Sequence, residues 1–115
     1  NYTKKMNKKE RRLAVKSALA YKLLDKELIV VDDINFATSK TKEMVNLLTK
    51  FDIENNKVLV VVSELTENVC LASRNLANVK LITFEEVNAF DLVSADNLLI
   101  TAGALEKLEE VLTRD

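Results

Sequence analysis

The sequence predicts an α/β fold, a three-layer α/β/α sandwich around a four-stranded, mostly parallel sheet. Short apolar runs rich in Val, Ile and Leu alternate along the chain with segments whose apolar residues recur at helical spacing. The runs are continuous rather than alternating, which is typical of strands that are covered on both faces and therefore usually parallel. Right-handed crossovers between such strands place helices on the faces of the sheet.

The elements follow in order from these two periodicities. A leading helix is expected from about residue 7 to residue 24. The predicted strands are the apolar runs 28–31, 58–62, 79–82 and 98–100. Three later helices are indicated by stripes at i, i+3, i+4 or i+7, namely Met44, Leu47, Leu48 and Phe51; Val69, Ala72 and Leu76; and Leu105, Leu108 and Leu112.

Polar residues at the starts of these helices predict their caps. The expected N-caps are Thr38 or Ser39, Thr66, and Thr101. Thr83 and Glu86 have the spacing of a capping box before a short helical segment. Because the chain has one glycine and no proline, we expect Asn and Asp residues to form the turns, among them the one at 52–56, where Asn tolerates the left-handed conformation.

The formal net charge of −1 hides a division of charge along the chain. Residues 1–16 carry seven Lys and Arg against one Glu, a net +6, whereas residues 17–115 carry ten cations and seventeen anions, a net −7. The length of 115 residues is typical of one domain. We therefore expect a single α/β domain over 1–115, with 1–16 as a basic leader.

Several classes of function are excluded by composition. The chain has no His and a single cysteine, Cys70, so the usual zinc sites, His-based general base catalysis and Ser-His-Asp triads cannot be built within it. The longest apolar run, Val58–Val62, is far shorter than the roughly 20 residues that span a bilayer. We expect no catalytic residues, no metal, no cofactor and no small-molecule substrate.

The leading helix carries cations on one face. Lys8, Arg12 and Lys16 are spaced i, i+4, i+8, and the same stripe continues as Leu19 and Leu23. We expect the first two turns to project from the body and the leucines to dock on it. A row of cations on a helix suits a phosphate backbone, and a solvated helix face is the alternative interpretation.

Two further groups allow a functional and an ordinary interpretation. Asp32 and Asp33 end the first strand, where paired carboxylates hold Mg²⁺ in receiver-like or phosphotransfer domains. The ordinary interpretation, acidic residues that end a strand and cap a turn, is favoured. Arg74 and Asn75 are either a helix end or an isolated RNA contact on a loop, and the residues alone favour the helix end.

Several segments, taken in order, resemble the bacterial large-subunit ribosomal protein four family. They are 5–19 (KMNKKERRLAVKSAL), 28–33 (LIVVDD), 40–43 (KTKE), 58–64 (VLVVVSE), 71–76 (LASRNL), 95–98 (ADNL) and 103–106 (GALE). The chain departs from the family pattern at Ser39 and Ala77, where the family usually has Pro. It begins at what resembles the tail of the family's extended loop, so we expect it to be the C-terminal portion after that loop.

The resemblance implies a structural constituent of the large ribosomal subunit, not an enzyme, in the cytoplasm on the ribosome. It implies binding to large-subunit ribosomal RNA, support of subunit assembly, contacts with neighbouring ribosomal proteins and, in some members, repression of their own operon. It also implies the three-layer fold. The RNA-binding residues it implies are Lys4, Lys5, Lys8, Lys9, Arg11, Arg12, Lys16, Arg74 and Asn75.

Overall fold

A computed structural model describes residues 8–113 of the chain, with side chains described from residue 10 onward. The elements are, in order, α1 (Lys8–Leu24), β1 (Leu28–Val31), α2 (Thr41–Lys50), β2 (Val58–Val62), α3 (Glu67–Ser73), β3 (Val79–Thr83), a 3-10 turn (Phe84–Glu86), α4 (Ala89–Ser94), β4 (Asn97–Thr101) and α5 (Ala102–Thr113). All predicted strands are present, and the last two are longer than expected by one and two residues.

The four strands form one sheet in the order β1-β4-β2-β3, and every pair in it is parallel. The predicted α/β fold is therefore confirmed. The two central strands explain the continuous apolar runs, because all five residues of β2 are buried. Neighbours on both sides and helices on both faces leave no position on β2 facing solvent.

The sheet separates two apolar cores. On one face, Leu59 and Val61 of β2 pack in a core shared by α1, α4 and α5. On the other face, Val58, Val60 and Val62 pack in a core shared by α2 and α3. Successive side chains of one strand thus supply both cores, which is what the two-residue period of a strand requires. The basic helix α1 and the later helix α3 consequently lie on opposite faces.

Two of the predicted caps are confirmed. The Thr101 hydroxyl accepts a hydrogen bond from the backbone N–H of Ala104 at 3.2 Å, at the start of α5. Thr83 and Glu86 form the expected capping box around the 3-10 turn. Thr66 occupies the N-cap of α3 as expected, but its side chain makes no capping hydrogen bond.

The cap predicted for α2 is wrong. Lys40, rather than Thr38 or Ser39, occupies the N-cap, and its side chain makes no capping hydrogen bond. The Glu43 carboxylate instead accepts hydrogen bonds from the backbone N–H groups of Ala37 and Thr38, at 3.0 and 3.3 Å. An acidic side chain in the first turn of α2 therefore holds the preceding loop.

The left-handed positions follow the expectation in part. Among the described residues, the non-glycine residues with positive φ are Lys26 (φ 60°) and Asp52 (φ 58°), so an Asp rather than an Asn takes this conformation in the turn at 52–56. Asn56 and Asn78 have another role in the turns, because the Asn78 amide donates to the backbone carbonyls of Glu54 and Asn56 at 3.0 and 2.8 Å. The Asn78 side chain thus connects the turn before β2 with the start of β3.

Candidate nucleic-acid interface

The docked face of α1 is not the leucine stripe that the sequence suggested. From residue 10 to the end of this helix, the buried residues are Val15, Ala18 and Lys22, at i, i+3, i+7. Leu19 is half-buried against the same core, but Leu23 is 63% exposed, so the prediction that Leu23 docks is wrong. The face of α1 that packs on the body is therefore rotated about the helix axis from the predicted face, and it includes Lys22.

Lys22 is buried because its amine finds two acceptors at the end of α1. Its Nζ atom lies 2.8 Å from Oε1 of Glu27 and also donates to the backbone carbonyl of Ala95. The aliphatic stem is covered by the core while the charge is satisfied at its tip. This side chain therefore connects α1 with the start of β1 and the end of α4.

The described start of α1 lies against the body instead of projecting from it. Arg11, Arg12 and Val15 form one wall of a groove of about 660 Å³. The other walls come from the connection after β3, at Phe84–Glu86 and the two residues that follow, and from the second half of α5. The prediction of two projecting turns is wrong for this part, because Arg11 and Arg12, within the first two turns, already line this groove against the body.

The predicted RNA-binding cations of α1 are placed as follows. Arg11 and Lys16 are exposed, and Arg12 is half-buried. Lys8 and Lys9 belong to the first turn of α1, but their side chains lie outside the described part of the chain. Lys4 and Lys5 also lie outside it.

Arg74 and Asn75 do not join this cationic surface. Both are exposed at the end of α3, on the face of the sheet opposite α1. Arg74 is the C-cap of α3 in right-handed helical conformation, and its backbone N–H donates to the carbonyl of Cys70. The structure therefore places these two residues in a separate surface region.

The candidate magnesium site at Asp32 and Asp33 is a strand end. Both residues are exposed, and Oδ1 of Asp33 accepts a hydrogen bond from the backbone N–H of Ile34 at 2.8 Å. Within residues 8–113, no group of His, Cys, Asp and Glu side chains is arranged to hold a metal ion. The ordinary interpretation, in which a carboxylate caps a turn, is the one that these contacts support.

Sequence reasoning missed a group of residues around Phe90 on α4. Phe90 is 78% exposed and lines a cavity of about 270 Å³ together with Lys57 and Lys80. The same ring lines a second cavity, of about 340 Å³, together with Arg11 and Ala14 of α1. These residues are far apart in sequence, and the one local indication is an exposed aromatic residue on a short helix.

A basic helix start on an otherwise acidic α/β body is the arrangement of a candidate nucleic-acid-binding protein. Residues 1–111 match the sequence model of the family described as Ribosomal protein L4/L1 family. The chain belongs to that family. The predicted family is therefore confirmed.

Two curated relatives show how much of a family member the chain represents. It is 46% identical over 111 residues to the large ribosomal subunit protein uL4 of Brevibacillus brevis, covering 96% of this chain and 53% of the relative. It is 39% identical over 113 residues to the large ribosomal subunit protein uL4 of Halothermothrix orenii, covering 98% of this chain and 54% of the relative. The chain thus spans about half the length of these relatives.

Proposed function

We propose that this chain is part of a structural constituent of the large ribosomal subunit, which binds large-subunit ribosomal RNA through the basic start of α1 and supports subunit assembly. The observation that carries the proposal is family membership combined with the location of the cations. The relatives are named as large-subunit ribosomal proteins, and Arg11 and Lys16 are exposed on the helix that carries most of the basic leader. The proposed location is the ribosome, in the cytoplasm. Within residues 8–113, no helix is both long and apolar enough to cross a bilayer.

The division of charge gives the proposal its physical basis. Residues 1–16 have a net charge of +6 and the remaining residues a net charge of −7. Phosphate is attracted to the first part and repelled by the second, and screening keeps the two effects local, because the Debye length at physiological salt is about 8 Å. RNA is therefore expected to contact the α1 end and the surface next to it, and to leave most of the acidic body for other partners, namely neighbouring ribosomal proteins.

The proposed RNA-binding residues divide into two groups. The main contact comprises Lys4, Lys5, Lys8, Lys9, Arg11, Arg12 and Lys16. Arg74 and Asn75, exposed on the opposite face, would form a separate second contact to RNA. A fragment of RNA long enough to pass around the domain would be needed to engage both groups.

A salt titration with large-subunit ribosomal RNA fragments tests the main contact. If about five phosphates are neutralised, a plot of log K against log salt has a slope of roughly −4. Substituting Lys8→Gln together with Lys16→Gln should make the slope flatter by about one to two units. These two positions are preferred to Arg12, which is half-buried against the body.

Two outcomes would contradict the main contact. Binding that does not change with salt would show that phosphate contacts do not supply the affinity. A slope that is the same for the native chain and for the double variant would place the phosphate contacts elsewhere on the molecule.

We extend the proposal to autogenous regulation, in which the same cations bind the leader of the operon's own messenger RNA. Two RNAs that use one surface must compete for it. Unlabelled leader RNA should therefore displace a labelled ribosomal RNA fragment from the chain, and simultaneous binding of both would exclude a shared surface.

A further inference from the structure

Phe90 is an exposed aromatic ring between two groups of cationic side chains. Phe90 lines one cavity with Lys57 and Lys80 and a second cavity with Arg11, so its side chain borders both cavities. Its exposed fraction of 78% leaves most of the ring open to solvent. Base–aromatic stacking combined with cations that follow the backbone is the usual way in which proteins hold unpaired nucleotides.

We propose that Phe90 stacks on an unpaired base of RNA, while Arg11 on one side and Lys57 and Lys80 on the other contact the neighbouring phosphates. The inference rests on the proposed function, because it assigns a further contact to the same class of partner. It adds a site that reads a single-stranded nucleotide, whereas the cations of α1 alone recognise only phosphate charge.

The acidic residue that lines the first cavity, Asp91, is already paired. Both oxygens of the buried Asp91 carboxylate accept hydrogen bonds from the Lys80 amine, at 2.9 and 3.0 Å, and the Asn88 amide donates to it at 2.9 Å. Asp91 is 9% exposed, whereas the Lys80 side chain is 61% exposed. An ammonium group has three donors, so Lys80 retains one that faces away from the carboxylate.

The walls of the first cavity match the two surfaces of a base. Ala95 and Val79 provide apolar walls beside the ring, and Ser94 and Asn78 provide polar groups at the rim. A stacked base presents an apolar face to the ring and donors and acceptors along its edge. An apolar protein segment would offer no acceptor to the Lys57 amine or to the remaining donor of Lys80, whereas the phosphates of RNA would, so these groups favour RNA.

Tryptophan fluorescence offers a direct test, because the chain contains no tryptophan. Phe90→Trp introduces a single reporter at the proposed contact, and the probe is a single-stranded eight-nucleotide oligoadenylate. We expect the oligonucleotide to quench this fluorescence and a duplex RNA of equal length to leave it nearly unchanged. In the otherwise native chain, Phe90→Ala should weaken oligonucleotide binding about 10-fold without changing the salt slope, since no charge is removed.

Matched variants separate stacking from other effects. Phe90→Tyr keeps the aromatic face and should restore nearly full affinity, and Lys57→Gln should make the salt slope flatter by about 0.7. Val93→Ala removes another exposed apolar side chain of α4, 72% exposed, and should leave binding unchanged. Because Phe90 is mostly exposed, its variants should retain the native melting temperature.

Three results would overturn this site. The first is an absence of oligonucleotide binding or quenching, and the second is an equal loss of affinity in Val93→Ala. The third is a tryptophan emission maximum that shifts with protein concentration when no RNA is present. The last result would mean that a second copy of the chain covers the ring. Failure here is distinguishable from failure of the proposed function, because that function is tested by the ribosomal RNA salt slope of the Lys8 and Lys16 variant.

Discussion

At the scale of the residue, Lys22 shows how a charged side chain becomes part of a core. Its side chain is only 8% exposed, and its amine contacts both Glu27 and the backbone carbonyl of Ala95. Sequence periodicity assigns the buried line of α1 to apolar residues, and the two acceptors are contributed by other elements. The position of Lys22 was therefore not predictable from the helix alone.

Removing this side chain should destabilise the fold. Lys22→Ala deletes two charge-assisted hydrogen bonds and leaves the Ala95 carbonyl without that donor, so we expect the free energy of unfolding to fall by about 2 kcal/mol. Urea denaturation measures the change. The control is Lys16→Ala, on the exposed part of the same helix, which should change stability by less than about 0.5 kcal/mol. Equal effects of the two substitutions would contradict the assigned role.

At the scale of the element, two threonines with the same predicted role provide a paired experiment. Thr101 caps α5 through a hydrogen bond to the backbone of Ala104, whereas the Thr66 side chain makes no capping bond to α3. Thr101→Val should therefore cost about 1 kcal/mol of stability, and Thr101→Ser should retain most of it. Thr66→Val should cost less than about 0.5 kcal/mol, as measured by thermal unfolding. A larger loss at Thr66 would show that its hydroxyl caps α3 in solution.

The secondary-structure elements differ in how well the sequence predicts them. β1 and β2 have the expected bounds because a continuous apolar run is a property of the strand itself. The start of α2 differed because Glu43, inside the helix, holds the backbone of the preceding loop. The face of α1 differed because its docking depends on partners contributed by β1 and α4. Features that depend on apolar periodicity were predicted, and those that depend on particular side-chain contacts, whether local as at Glu43 or distant as for α1, were not.

At the scale of the whole molecule, one part of the candidate site was predictable from the sequence and another part was not. The basic leader was visible in the sequence because seven cations lie within its 16 residues. The region around Phe90 was not visible, because Arg11, Lys57 and Lys80 meet the ring only after the sheet and α4 are assembled. Arg74 and Asn75 were predicted as an isolated RNA contact, and the fold places them on the face of the sheet opposite α1.

The position of the cations, rather than the net charge, should determine RNA binding. Lys8→Gln with Lys16→Gln removes two positive charges from α1, and Lys42→Gln with Lys50→Gln removes two from α2, on the other face of the sheet. The two variants have identical net charge. If RNA contacts the start of α1, the first variant should lose about one to two units of salt slope and at least about 10-fold in affinity at low salt. The second should lose little at physiological salt, because charges beyond a Debye length are largely screened. Equal losses in filter-binding titrations with the same ribosomal RNA fragment would mean that attraction is spread over the molecule, and a greater loss in the α2 variant would place the RNA on the face formed by α2 and α3.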